Sequence, residues 1–312
     1  MNKKQLVSRL LQMLIVLIGI SFLTFLLTYM SPGDPVRNML TATGVMPTEE
    51  LIQSLRAQMG LNDPFFVQYF RWLGNCLHGD FGTSYSLNKP VVDLLLVRLW
   101  PTLKLTLLSM GFMLVIAVPL GTLSAVYKDS VIDYIVRGFT FLGVSLPNFW
   151  VGLLLMLVFC VRLTIFPVIS STGDLKSMIL PAMTLAIAMA SKYARQVRTA
   201  VLEELSQDYV IGAKARGVKG WKIIWCNVFP NSLLPLITML GLSVGSLLGG
   251  TAVVEVIFSY PGLGSLAVNA ITSCDYNLIQ GYVLWVAIIY MVINLIVDIS
   301  YHYVDPRMRV KE

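Results

Sequence analysis

The residue pattern with the most direct chemical meaning is Gly241-Leu242-Ser243-Val244-Gly245, a formal GxSxG. In a serine hydrolase that pattern occupies a strained strand-to-helix turn beside a base. Here it lies inside an apolar run, and the two histidines, His78 and His302, would both have to be far out of place to serve it. Cys76, Cys160, Cys226 and Cys274 have neither CxxC nor any other metal-ligand spacing, and the chain contains no GxxxxGK[ST] phosphate loop and no HExxH. Met178, Met183 and Met189, from a total of 15 methionines, are more simply apolar helix filler than a soft-metal path. The sequence therefore predicts no catalytic residue and no metal or cofactor held by this chain.

What stands out is a concentration of charge between Lys192 and Trp225. Seven basic residues, Lys192, Arg195, Arg198, Lys214, Arg216, Lys219 and Lys222, accompany three acidic ones, Glu203, Glu204 and Asp208. Positive charge collects on the cytoplasmic side of membrane proteins, so the segment is expected there, as a contact surface for a soluble partner.

The elements that must position this segment are apolar. Of the 312 residues 56% are hydrophobic and 13% charged, with a mean hydropathy of +0.74, which predicts an integral membrane protein. The net charge of +6 lies beside apolar runs rather than in a separate stripe, which argues against nucleic acid. Six runs are long enough to cross or nearly cross a bilayer: Leu10 to Tyr29, Thr102 to Val126, Gly138 to Val161, Ser177 to Ala194 with Pro181 inside it, Ser232 to Val254, and Gly281 to Tyr301. The first follows Lys3, Lys4 and Arg9 and lacks a small-residue cleavage site, so it reads as an uncleaved span. An even number of spans, with Arg307, Arg309 and Lys311 at the other end, places both termini in the cytoplasm.

The expected organisation is an all-α, polytopic chain: an N-terminal transmembrane helix over 1–30, an extracytoplasmic helical insert over 31–101 with five basic and six acidic residues, and a core over 102–312 carrying a cytoplasmic loop at about 195–230. In the insert, Thr48 can cap a helix that carries Glu49 and Glu50 in its first turn and stops at Gly60. Asp63-Pro64 starts a second helix, with Phe66, Tyr69, Phe70, Leu73 and Leu77 at helical spacing and Gly79 as its stop. The insert is read as packing on the outer ends of the spans, with a docking surface for an external partner as the sharper reading. In the fifth span, Gly241, Gly245 and Gly249 form a ladder of small residues for close helix packing. Glu255 and Asp298 are ionisable groups near the ends of spans, each hydrated or paired, and Asn294 is expected to share an interhelical hydrogen bond.

Beyond composition, Gln207-Asp208-Tyr209-Val210, Ala213-Lys214-Ala215-Arg216-Gly217 and Pro230-Asn231-Ser232-Leu233-Leu234-Pro235 resemble the coupling loop of bacterial ABC importer permeases of the peptide and nickel family. The general pattern there is EAA, three residues, Gly, nine residues, then I-x-L-P. Aligned on Gly217, this chain matches at Ala213, Gly217 and Pro230 only, while Ile211, Gly212, Asn227 and Phe229 depart, as the peptide and nickel branch commonly does. Gly33-Asp34-Pro35, Gly60 to Pro64, Gly79-Asp80-Phe81-Gly82, Ser145 to Trp150, Glu255 to Gly264, Asp275-Tyr276 and Asp305-Pro306-Arg307 extend the resemblance along the chain.

The resemblance implies a type I ABC importer permease with six transmembrane helices, in a bacterial inner membrane. Its partners would be a second, related permease in a heterodimer, two ATPase subunits that hold ATP and Mg²⁺, an extracytoplasmic binding protein, and membrane lipid. Glu204, Gln207, Asp208, Tyr209, Ala213, Lys214, Arg216 and Gly217 would form the ATPase-coupling loop, and Asp34, Asp80, Glu255, Gly262 and Gly264 would contact the binding protein or a gate. The short link Arg162 to Lys176, Thr48-Glu49-Glu50-Leu51, Trp72-Leu73 and Leu77-His78 resemble the nickel-import permeases of the B type, which implies nickel, as a chelate, ahead of di- or oligopeptides. An intramembrane hydrolase or a channel is the reading outside this class.

Overall fold

The computed structural model describes residues 3–31, 33–42 and 44–304. Among them the chain is helical, with no strand and one isolated bridge, Thr83 to Pro90. It divides into two compact units, one made of residues 1–102 and 261–295, the other of 103–260 and 296–312.

The first unit begins with α1, Lys3–Met30, whose apolar part spans 24 residues. The insert follows as three short helices: α2 (Pro35–Ala42), α3 (Glu49–Gln58) and α4 (Phe65–Leu77). Thr48 has the extended backbone of a cap, but its side chain makes no capping hydrogen bond; Glu49 and Glu50 lie in the first turn, where negative charge is favoured, and Glu49 pairs with Arg37 of α2. Arg56 and Asp34 link α3 to the start of α2 at 3.0 Å. The aromatic face of α4 lies on α1, with Phe25 and Tyr69 rings 5.6 Å apart and the Tyr69 hydroxyl 2.9 Å from Ser21 Oγ. Gly79 takes a φ of +83°, outside the range that L side chains favour, and ends the insert's last helix as the sequence predicts.

The long helix α5, Val91–Val126, enters the first unit's core through Val91 and Leu95, beside Phe81, Leu263, Leu278 and Leu284. Asp275 is fully buried in this unit. It accepts hydrogen bonds from Ser84 Oγ (2.6 Å), Ser86 Oγ (2.8 Å) and Ser86 N (3.0 Å), and so clamps the loop before α5 to the start of the final helix. That helix, α14, runs Tyr276–Val304, after α13 at Leu263–Thr272.

In the second unit, α6 (Val131–Ser145) and α7 (Asn148–Met156, continued by a wider turn to Arg162) replace the single span expected over Gly138 to Val161. The two meet at 102°. The cause is Pro147, which offers no N–H and pushes Leu146 into extended backbone at ψ 134°. The fourth span is longer than its apolar pattern: α8, Leu175–Leu205, carries Pro181 and continues into the charged segment. Its apolar window is 67% buried within the chain. Two short helices, α9 (Asp208–Ala215) and α10 (Gly220–Ile223), lead through a wide turn into α11, Phe229–Gly250, and then α12, Ala252–Ile257. Within this unit α6, α7, α11 and α12 pack on α8. By length and composition four helices can cross a membrane, and the bent pair makes a fifth; α11, of 22 residues, occupies the remaining apolar run.

Candidate functional site

The charged segment folds into a short helix with one side fixed and one side free. Val210 and Ala213, three residues apart on α9, are buried with Val197 and Val201 of α8, with Ile223 at the end of α10 and with Val228 in the wide turn after it. Asp208, Tyr209, Ile211, Lys214 and Arg216 face outward, and Ile211 is 60% exposed despite being apolar. The helix ends in a closed turn: Val218 N donates to Ala213 O at 3.1 Å and Gly217 N to Lys214 O at 2.9 Å, the paired bonds of a Schellman motif. That turn needs a residue with positive φ, and Gly217 supplies it at +75°. Val218 then packs back on the cluster that holds Ala213.

The other end is held by side chains. Gln207 takes extended backbone before the first turn without a capping bond from its side chain. The Tyr209 hydroxyl donates to Glu204 Oε2 at 2.6 Å and accepts from Asn231 Nδ2 at 3.5 Å, which ties the end of α8, α9 and the start of α11 together. Burial, and then the Glu204 carboxylate, push the Tyr209 hydroxyl upward from its usual range, so it stays a donor.

Within the charged segment, seven residues before the end of α8, Arg198 forms a two-armed pair with Asp133 of α6, Nε to Oδ1 at 2.9 Å and Nη2 to Oδ2 at 2.7 Å. Asp133 also accepts from Ser124 Oγ and from Asp129 N. Thus the link between α5 and α6 is locked to the helix that carries α9.

Two family descriptions cover most of the chain. Binding-protein-dependent transport system inner membrane component matches residues 117–310, and the N-terminal region of the same transport system membrane component matches residues 2–106. The chain belongs to the binding-protein-dependent transport permeases. It is similar to an oligopeptide transport system permease of Bacillus subtilis, 39% identical with 97% of this chain and 98% of that protein covered. A metal-staphylopine import system permease of Staphylococcus aureus is 36% identical, with 98% of each chain covered. A glutathione transport system permease of Escherichia coli is 35% identical, also with 98% of each covered. In shape, the permease is similar to a chain of the inward facing MetNI methionine ABC transporter, with a TM-score of 0.56 at 22% identity, covering 68% of this chain and 96% of that one. It is therefore a multi-pass inner membrane subunit of an ABC importer, with the type I permease fold.

The other candidate residues of the permease are scattered. Ser243 of the GxSxG pattern sits in helical backbone on α11 and hydrogen-bonds the Tyr193 hydroxyl of α8, which also donates to Met239 O at 2.5 Å. Of the glycine ladder, Gly241 meets α14: a Cβ there would overlap the Val297 side chain, while Gly249 has open space around it. Gly245 is buried. Asp34 binds Arg56 and caps Val36 N at 3.0 Å, and Asp80 accepts from Gly82 N at 2.8 Å. Glu255, Gly262 and Gly264 are buried, with Glu255 accepting from Thr251 Oγ1 at 3.0 Å. Asn294 departs from expectation: its Oδ1 is buried with no hydrogen-bond partner among the described residues. The side chains of Asp298 and His302, and Asp305 to Arg307, lie outside the described residues. No group of three or more His, Cys, Asp or Glu residues among those described is placed to hold a metal ion.

Sequence reasoning counted Arg198 as loop charge and missed Asp133 entirely. One signal was available. Ser130 stands three residues before Asp133 and its Oγ accepts from Asp133 N, the start of a helix seven residues ahead of the expected span.

Proposed function

We propose that α9 is the element through which partner ATPases drive this permease. The observation that carries the reading is the division of α9 into a buried side, Val210 and Ala213, and an exposed side, Ile211, Lys214 and Arg216, closed by the Gly217 turn. A rigid helix end with an apolar residue at its centre and cations around it fits insertion into a groove of a soluble partner. Two ATPase subunits bind ATP and Mg²⁺, and the permease itself catalyses nothing. It pairs with a second, related permease as a heterodimer, and an extracytoplasmic binding protein delivers the solute. Both termini and α9 lie in the cytoplasm, and the insert α2 to α4 lies outside.

Closure of the ATPases pushes on α9. Because Val210 and Ala213 pack on Val197 and Val201, the push reaches α8, a helix of about 46 Å at 1.5 Å per residue. Arg198 transmits it to α6 through Asp133. Alternation between inward and outward openings follows as a two-state rearrangement of these packed helices.

The solute is a peptide-like aminocarboxylate. Support for this class comes from the relatives named for oligopeptide and glutathione transport. A nickel chelate is the second reading, favoured by the metal-staphylopine permease among the relatives.

The test is assembly. Ile211→Asp, placed on the exposed side of α9, is expected to leave the permease in the membrane while the ATPase subunits fail to copurify with it. Retention of the ATPases would exclude α9 as their docking element.

A further inference from the structure

The first unit contains a cavity of about 590 Å³, within the range of small-molecule sites. The end of α1, the end of α3, α4, the loop Asp80 to Tyr85 and the first turns of α14 all contribute to its wall. Two kinds of surface meet there. Phe25 and Trp72 form an aromatic side, their rings 5.5 Å apart. Arg56, Arg71, Asn75 and Asp80 form a polar side of mixed charge.

The polar side has bonding capacity in reserve. Arg56 bonds Asp34 through one nitrogen and Arg71 bonds Asp63 through one, although each guanidinium carries five N–H donors. Asp80 spends Oδ1 on Gly82 N, with no hydrogen bond to Oδ2 among the described residues. Gln280 gives its amide nitrogen to Thr28, which leaves the amide oxygen as an acceptor. The loops that close the wall are held by positive-φ glycines, Gly60 at +67° and Gly82 at +79°, and a Cβ on Gly60 would overlap the Arg71 guanidinium. Two guanidiniums with donors left over and a carboxylate with one oxygen left over, beside aromatic rings, match a ligand with a carboxylate, an ammonium and apolar side chains between them.

We propose that this cavity is a binding site for a zwitterionic short peptide, its carboxylate on Arg56 and Arg71 and its ammonium on Asp80. This rests on the reading of the insert as extracytoplasmic and of the solute as peptide-like. The charged lining belongs to α3, α4 and the loop that follows rather than to the spans, which favours a solute from the aqueous side over a lipid headgroup.

The test uses the permease with its partner subunits in phosphatidylglycerol nanodiscs, without binding protein, titrated with isotope-labelled alanyl-alanine. Saturable binding is expected, at least tenfold weaker in Asp80→Asn, which keeps the acceptor for Gly82, and absent in Asn75→Trp, which fills the space. N-acetyl-alanyl-alanine amide, with both end charges removed, is expected to bind at least tenfold more weakly. Thermal melting of both variants checks their fold. Absence of saturable binding, or equal binding by wild type and both variants, overturns the proposal. So does phosphatidylethanolamine that copurifies with wild type and is lost in Asn75→Trp, since that assigns the cavity to a headgroup. Uptake of alanyl-alanine by the full transporter is measured separately. Uptake without cavity binding removes the site and leaves peptide import standing; binding without uptake upholds the site and removes peptide import.

Discussion

Arg198 and Asp133 meet through both arms of the guanidinium, and the carboxylate is fully buried while the arginine side chain keeps 21% of its exposure. A buried ion pair gains little over apolar groups of the same size, but removing one partner strands the other. Asp133→Leu and Arg198→Met are each expected to cost about 3 kcal/mol or more. The double variant should recover much of that loss, because no uncompensated charge remains. Thermal unfolding of the purified permease reads the difference, and additive losses would show that the pair does not act as a unit.

The Gly217 turn makes a graded prediction. Asn tolerates the left-handed region best after glycine, alanine is strained by about 1 kcal/mol, and β-branched valine by more. Uptake and ATPase stimulation should therefore fall in the order glycine, Asn, Ala, Val at this position, with membrane levels of the permease unchanged. A flat series would mean that the αL turn is dispensable.

Where Gly241 meets Val297, any larger side chain needs room. Gly241→Leu is expected to destabilise by about 1–3 kcal/mol, and Val297→Ala in the same chain should restore part of the loss. Melting temperatures of the three variants decide it; no rescue would place the disturbance elsewhere on α11.

Cysteine labelling separates two environments. Burial, and then the Asp80 carboxylate, push the Cys76 thiol up to about 12, whereas Cys226 is exposed. At pH 8 the reactive thiolate of Cys76 is on the order of 1 in 10⁴. A membrane-impermeant maleimide should modify Cys226 rapidly in inverted vesicles only, and should leave Cys76 unmodified in right-side-out vesicles, where the insert faces the reagent. Labelling of Cys226 in right-side-out vesicles would reverse the proposed orientation.

Much of the helical skeleton was legible from apolar run length and punctuation: α1, α14 and the insert helices α3 and α4 fall where hydropathy, Gly60, Pro64 and Gly79 put them. Gly217 and Ala213 were legible only as matches to a motif; that one supplies a positive φ and the other the buried side of α9 came from the structure. Hydropathy averages over Pro147, so the bend between α6 and α7 was lost, and it gave no reason to start a helix at Val131. The polar pairs were beyond reach because their partners are distant in sequence, 65 residues for Asp133 with Arg198 and 191 for Ser84 with Asp275. Neither periodicity nor spacing carries that information; only the packed helices bring these groups together.

The most direct test of the whole account is ATP-dependent uptake in vesicles that contain this permease, its partner permease, the ATPases and the binding protein, wild type against Ile211→Asp. Labelled alanyl-alanine is compared with labelled nickel, with and without histidine as a chelator. The account predicts wild-type accumulation of the dipeptide that requires ATP and is abolished by Ile211→Asp at equal membrane abundance. Accumulation without ATP, or undiminished by a charge at the centre of the exposed side of α9, would contradict it.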